Sequence, residues 1–163
     1  MKKVIICLFT FALVMTGCVS TTSKKTNSES KVIEIGVDDA IAKIQKKQSF
    51  VLLVTRKQCE YCEAMLEMLK DTINDHNLVI YDTIMRDDTV EHLNEDVDKL
   101  KAYLDRPDQT PHYYYIKNGE VADAQKGYTQ FQPDRFWEWV AKNDLEGMKS
   151  CAIRKIRILD DMK

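Results

Sequence analysis

The chain has 163 residues, 44% hydrophobic and 31% charged, with a formal net charge of −2. Such a length and apolar content suit one domain with its own core. The acidic balance excludes a general nucleic-acid binder, and five cysteines are too few for a disulfide-stapled miniprotein.

The N-terminus reads as an export signal. Lys2 and Lys3 precede an apolar run over residues 4–15, too short for a convincing membrane span. It ends in Met15-Thr16-Gly17-Cys18, which resembles the lipobox of bacterial lipoproteins, with Met15 where Leu is usual. The resemblance implies a signal peptide over residues 1–17, cleavage before Cys18 and lipid on that cysteine. Each buried methylene of the lipid would add about 0.8 kcal/mol of anchoring. The competing reading is an ordinary signal peptide with an incidental cysteine, or an uncleaved anchor. Residues 18–31 are rich in Ser, Thr, Lys and Asn and read as a flexible tether.

Residues 32–145 carry the pattern of a folded domain. A short strand is expected at 32–35. Asp38 is placed to cap a helix with Ala40, Ile41 and Ile44 at helical spacing. Residues 50–55 form an apolar, partly β-branched run, suited to a strand covered on both faces. From Cys59 to about Asn74, Tyr61, Met65, Leu69 and Ile73 recur every four residues, predicting an amphipathic helix. A strand at 78–81 follows, then a charged helix over 89–104 with Val90, Leu93, Val97, Leu100 and Leu104 as its inner stripe. Pro111 precedes a Tyr-rich strand over 112–117, and Asn118-Gly119 signals a two-residue hairpin turn to a strand over 121–124. Pro133 opens a last helix carrying Phe136, Trp137 and Val140. Alternating strands and helices, with a hairpin at the end, predict an α/β fold: a mixed sheet with helices on both faces. Residues 146–163 read as a basic amphipathic tail, docked on the domain or resting on an anionic membrane.

The chemistry sits in Cys59-Glu60-Tyr61-Cys62. Two thiols three residues apart at a helix start lie on one face within bridging distance. Unpaired N–H groups and the helix dipole favour an anion there, and the thiolate is the reactive form. Cys59 is therefore the expected nucleophile and Cys62 the resolving thiol. Arg56 and Lys57 add to the thiolate's stabilisation, and Glu60 opposes it. Zinc would need four Cys or His ligands, and His76, His92, His112 and Cys151 show no paired spacing. A purely structural disulfide is the other alternative. Cys7 leaves with the signal, and Cys151 is an odd thiol with no assigned role.

Taken together, the strand at 50–55, Cys59-x-x-Cys62, Thr110-Pro111, the Asn118-Gly119 hairpin and Gly127 resemble the thioredoxin-like superfamily over about residues 32–144. The resemblance implies a cis peptide bond before Pro111. It further implies that Thr110 offers its backbone to an extended substrate by β-strand addition, with Glu60 and Tyr61 beside it. Within the superfamily, residues 49–62 and 110–119 are most similar to the bacteriocin-accessory proteins of Gram-positive bacteria. The implied protein is an extracytoplasmic, lipid-anchored thiol–disulfide oxidoreductase acting on exported cysteine-containing proteins or peptides. It needs no metal or organic cofactor beyond its Cys59–Cys62 disulfide. The opposing class is a non-catalytic binding module for an exported peptide or its transporter. The chain departs from thioredoxins at Leu53, where they bury an Asp that helps deprotonate the resolving thiol. Gln58 replaces their Trp, and Glu60-Tyr61 their Gly-Pro. Slower resolution of mixed disulfides is expected from the loss of that carboxylate. His112 and Tyr113–Tyr115 are expected to serve mainly as strand and packing residues.

Overall fold

The computed structural model describes residues 30–148. The expected signal peptide, Cys18, nearly all of the expected tether and the tail beyond Met148, with Cys151, lie outside the described residues.

Five strands form one sheet in the order β1-β3-β2-β4-β5. The first half is parallel: β1 (Lys31–Ile35) and β2 (Phe50–Arg56) both pair with β3 (Val79–Met85). The second half is antiparallel: β4 (His112–Lys117) pairs with β2 and is joined by a hairpin to the edge strand β5 (Glu120–Lys126). Helices α1 (Val37–Gln45) and α3 (Val90–Lys101) cover one face. Helices α2 (Glu60–Thr72) and α4 (Arg135–Lys142) cover the other.

Central placement explains the sequence of β2. Residues 50–55 are all buried because neighbours lie on both edges and helices on both faces. Successive side chains alternate: Phe50, Leu52 and Val54 enter the α1/α3 core, while Val51 and Leu53 enter the α2/α4 core. Each such side chain is worth about 1.5–3 kcal/mol when fully buried. The three consecutive tyrosines follow the same alternation. Tyr114 joins the first core, and Tyr113 the second, edge-on to Phe136 and Trp139 at 5.1 and 4.9 Å.

The hairpin turn has φ of 53° at Asn118 and 81° at Gly119. Both are left-handed, as a two-residue turn between twisted strands requires. Glycine is needed for a second reason: a Cβ at Gly119 would meet the Ile44 carbonyl oxygen at 2.4 Å, so the turn presses against the end of α1.

Several elements differ from expectation. β3 continues to Met85 instead of ending at Tyr81, burying Asp82 and Thr83. Helix α3 ends at Lys101, and Val90, expected on its inner stripe, is 75% exposed at its first position. Leu104 is buried from the following turn. Asp38 does not cap α1: Gly36 is the cap residue, and Asp38 lies in the first turn, paired to Lys99 at 2.9 Å. Helix α4 starts at Arg135, two residues after Pro133. Tyr61 is 62% exposed, because the inward face of α2 begins at Cys62 and continues through Met65, Met68 and Leu69. Among the described residues, no helix is long and apolar enough to cross a membrane.

Candidate redox site

At the end of β2 the chain turns through Lys57 and Gln58 into α2. Cys59 is the N-cap of that helix, with extended backbone angles, and its carbonyl accepts from the N–H groups of Cys62 (2.9 Å) and Glu63 (3.0 Å). Its sulfur takes the role usually played by a Ser or Asp oxygen, accepting from Cys62 N–H at 3.3 Å. A negative charge on Cys59 would thus face both a hydrogen-bond donor and the positive end of the α2 dipole. Cys59 and Cys62 are joined by a disulfide, with Cα atoms 5.2 Å apart. Cys59 is 9% exposed and Cys62 only 1%. Cys59 is thus the outer and Cys62 the inner member of the pair.

Three other connections close around Cys59. Thr110 directs its hydroxyl to Cys59 Sγ at 3.5 Å, and the Thr110–Pro111 bond is cis. The Pro111 carbonyl accepts from Gly127 N–H at 2.8 Å, tying the end of β5 to the proline loop. The Gln58 N–H donates to the Asp87 carboxylate at 2.7 Å, tying the β3–α3 connection to the residue before Cys59. The order of the sequence alone did not bring Asp87 here. Its signal was a short polar link after a strand parallel to β2, which places that link at the same end of the sheet. Glu60 and Tyr61 are exposed on the first turn of α2; Arg56 is half-buried and Lys57 exposed.

His112 follows Pro111 as the first residue of β4. Its Nδ1 lies 3.1 Å from the Arg106 carbonyl and 2.7 Å from Tyr114 Oη. The Tyr114 hydroxyl donates to the Asp105 carbonyl at 2.8 Å. The imidazole Nδ1–H therefore acts as the donor toward Arg106 and Tyr114. The pair fastens the loop carrying Thr110 and Pro111 to β4. Burial is the main cause holding the His112 pKa below its ordinary value, which keeps the ring neutral and suited to this bond.

A second group invisible to the pattern of the sequence is Asp82. It is 3% exposed, and its Oδ1 accepts from Thr55 Oγ1 at 2.8 Å. Burial pushes its pKa up to about 6; the Thr55 hydrogen bond works against that rise and the Glu34 charge adds to it. Asp82 sits in register beside Leu53, so an acid occupies the strand next to the position where thioredoxins carry theirs. Among the described residues, no cluster of three or more His, Cys, Asp or Glu side chains is arranged to hold a metal ion.

This fold is found among solved structures. The reduced thioredoxin pre-protein of Schistosoma mansoni is similar over 69% of this chain and 98% of its own, with 18% identity and a TM-score of 0.50. The chain has the thioredoxin-like fold. Oxidised thioredoxin O2 from Arabidopsis thaliana aligns over 69% of this chain and 94% of its own, with 15% identity and a TM-score of 0.49. Neither a protein-family model nor a curated protein matches the sequence.

Proposed function

We propose that this chain is a thiol–disulfide oxidoreductase, anchored outside the cytoplasm through lipidated Cys18 and acting on exported cysteine-containing proteins or peptides. The observation that carries the redox reading is the Cys59–Cys62 disulfide at the N-cap of α2, with the Thr110 hydroxyl on the outer sulfur. The export signal and the similarity of residues 49–62 and 110–119 to bacteriocin-accessory proteins support the location and the substrate class.

In the reducing direction, the Cys59 thiolate attacks one sulfur of a substrate disulfide. A Cys59–substrate bond forms, and the substrate's other sulfur leaves as a thiolate. Deprotonated Cys62 then attacks Cys59 Sγ, closing the internal disulfide and releasing the second substrate thiolate. Oxidation of a substrate dithiol runs through the same steps in reverse. Thr110 and the cis-Pro111 loop hold the substrate segment extended beside Cys59, with Glu60 and Tyr61 flanking it. The reduction potential relative to the partner sets the direction.

The test is trapping. Cys62→Ser is expected to accumulate mixed disulfides with exported proteins through Cys59, and Cys59→Ser to form none. Unchanged cellular function in both variants would instead favour a non-catalytic binding module.

A further inference from the structure

Resolution of the mixed disulfide needs a thiolate at a position that water scarcely reaches. Cys62 is 1% exposed, and the inward side of α2 continues with Met65, Met68 and Leu69. Helix α4 adds Phe136, Trp139 and Val140 to the same layer. Neither helix presents a base there. Among the described residues, the buried carboxylate on this face of the sheet is Asp82. Asp82 follows Ile80 by two residues, so it shares the face on which Ile80 enters the α2/α4 core. Its register partner Leu53 enters the same core. Its hydrogen-bond donor, Thr55, lies four residues before Cys59, at the end of β2 that leads into α2.

We propose that Asp82 is the proton acceptor for Cys62 when the mixed disulfide is resolved. This rests on the oxidoreductase reading. The Cys62 S–H bond breaks and its proton passes to the Asp82 carboxylate. The electron pair left on Cys62 Sγ forms the bond to Cys59 Sγ. The Cys59–substrate bond breaks, and its electron pair leaves on the substrate sulfur, which takes up the proton. The other titratable groups on this face are few. Glu34 lies in register on β1, and its charge favours protonation of Asp82. Tyr113 on β4, its hydroxyl pushed up to about 12 by burial, stays neutral throughout. Among the described residues, α2 turns Cys62 inward and β2 adds the neutral Thr55, Tyr115 and Tyr128 pack at the margin of this core, and the charges of Arg135 on α4 and Asp123 on β5 reach Tyr113 from the rim.

The experiment follows reduced protein reacting with an aromatic disulfide such as 5,5′-dithiobis(2-nitrobenzoate), by stopped flow from pH 5 to 9. Attack by Cys59 and closure by Cys62 each release one coloured thiolate. With Asp82→Asn, the first release is expected to keep its rate. The second is expected to slow by about a hundredfold near neutral pH, the lower end of what a placed proton acceptor supplies. The second release is also expected to lose its dependence on an ionisation near the Asp82 pKa. A second release with the same rate and pH profile as the parent overturns the proposal. A further measurement needs no redox activity. In a Cys59→Ser background, Asp82→Asn should lower the pH at which iodoacetamide alkylates Cys62, because a carboxylate in the same layer opposes the thiolate. An unmoved inflection puts Asp82 out of reach of Cys62 and also overturns the proposal. If alkylation shifts but the parent protein exchanges no disulfide, the oxidoreductase reading is the part that fails.

Discussion

Among the described residues two carboxylates are buried, one on each side of the sheet, and they are treated in opposite ways. Asp96, on α3, is 2% exposed and accepts from the Arg86 N–H at 2.8 Å and from the Arg86 guanidinium at 2.6 Å. Burial opposes its charge, but the Arg86 side chain and N–H hold its pKa below the ordinary carboxylate value. Asp82 is buried as deeply on the α2/α4 side, and its side-chain donor is the Thr55 hydroxyl. There burial prevails and the pKa rises to about 6. The first arrangement fixes a permanent ion that clamps the end of β3 to α3. The second leaves an acid able to take or give a proton near neutral pH, on the sheet face that α2 and α4 cover. A buried acid without a counter-ion is costly, and such groups cluster where chemistry uses them.

The largest expected effect concerns stability. The unfolded chain ionises Asp82 near 3.8 and the folded chain near 6. Between those values the folded state binds more protons, so stability falls as pH rises through the window and stays lower above it. A shift of this size corresponds to about 3 kcal/mol. Asp82→Asn, which cannot ionise, is therefore expected to be more stable than the parent by up to that amount at pH 7.5. The gain should fade below pH 4. Urea unfolding of the oxidised protein at both pH values checks it, and a difference independent of pH would remove the physical basis for a strained carboxylate. The same substitution is expected to slow resolution, so a more stable protein would be a slower one. A merely structural Asp82 does not predict that combination.

Neither carboxylate was legible in the sequence, whereas the cysteine pair was. Cys59-x-x-Cys62 stands out because its spacing is local and its strand, residues 50–55, is an unbroken apolar run. The helices over residues 37–45 and 60–72 and the hairpin at Asn118-Gly119 were equally local signals. Asp82 and Thr83 instead end the apolar run of β3, so the pattern alone predicts a strand that stops at Tyr81. Only the pairing of β3 between β1 and β2 shows that a polar stretch continues the strand and is buried. Asp96 was hidden for a related reason. In a helix this charged, the inward phase is set by what lies opposite, and Arg86 draws Asp96 in while Val90 is left exposed. Asp87 entered the site through the packing of two loops 29 residues apart in the chain.

Asp96→Asn is expected to act in the opposite direction to Asp82→Asn. It removes the charge from a carboxylate that holds three Arg86 donors, its N–H, Nε and Nη2. Hydrogen bonds to charged groups carry about 1.5–3 kcal/mol, so a loss of about 2 kcal/mol is expected at neutral pH. Because the folded pKa of Asp96 is depressed, its contribution is present above the ordinary carboxylate value and is lost as pH falls through the folded one. The parent and Asp96→Asn proteins should therefore converge in acid, as should the parent and Asp82→Asn, but from opposite sides. Denaturation midpoints that move in the same direction for both variants at pH 7.5 would dissolve the contrast.

The smallest effect, and the sharpest probe of Asp82 itself, comes from Thr55→Val. Valine keeps the β-branched shape that the strand packs around and deletes the donor to Asp82 Oδ1. The hydroxyl lowers the Asp82 pKa against the pull of burial, so its loss should raise that pKa further. Above pH 7 the cost is expected to be about 1 kcal/mol, because an ionised carboxylate has lost a hydrogen bond. Near pH 4 Asp82 is protonated in both proteins and the cost should shrink. The midpoint of the stability–pH curve should move upward, and the ionisation governing the second thiolate release should move with it. A shift in stability without the matching shift in release would mean that Asp82 titrates as expected but does not serve Cys62.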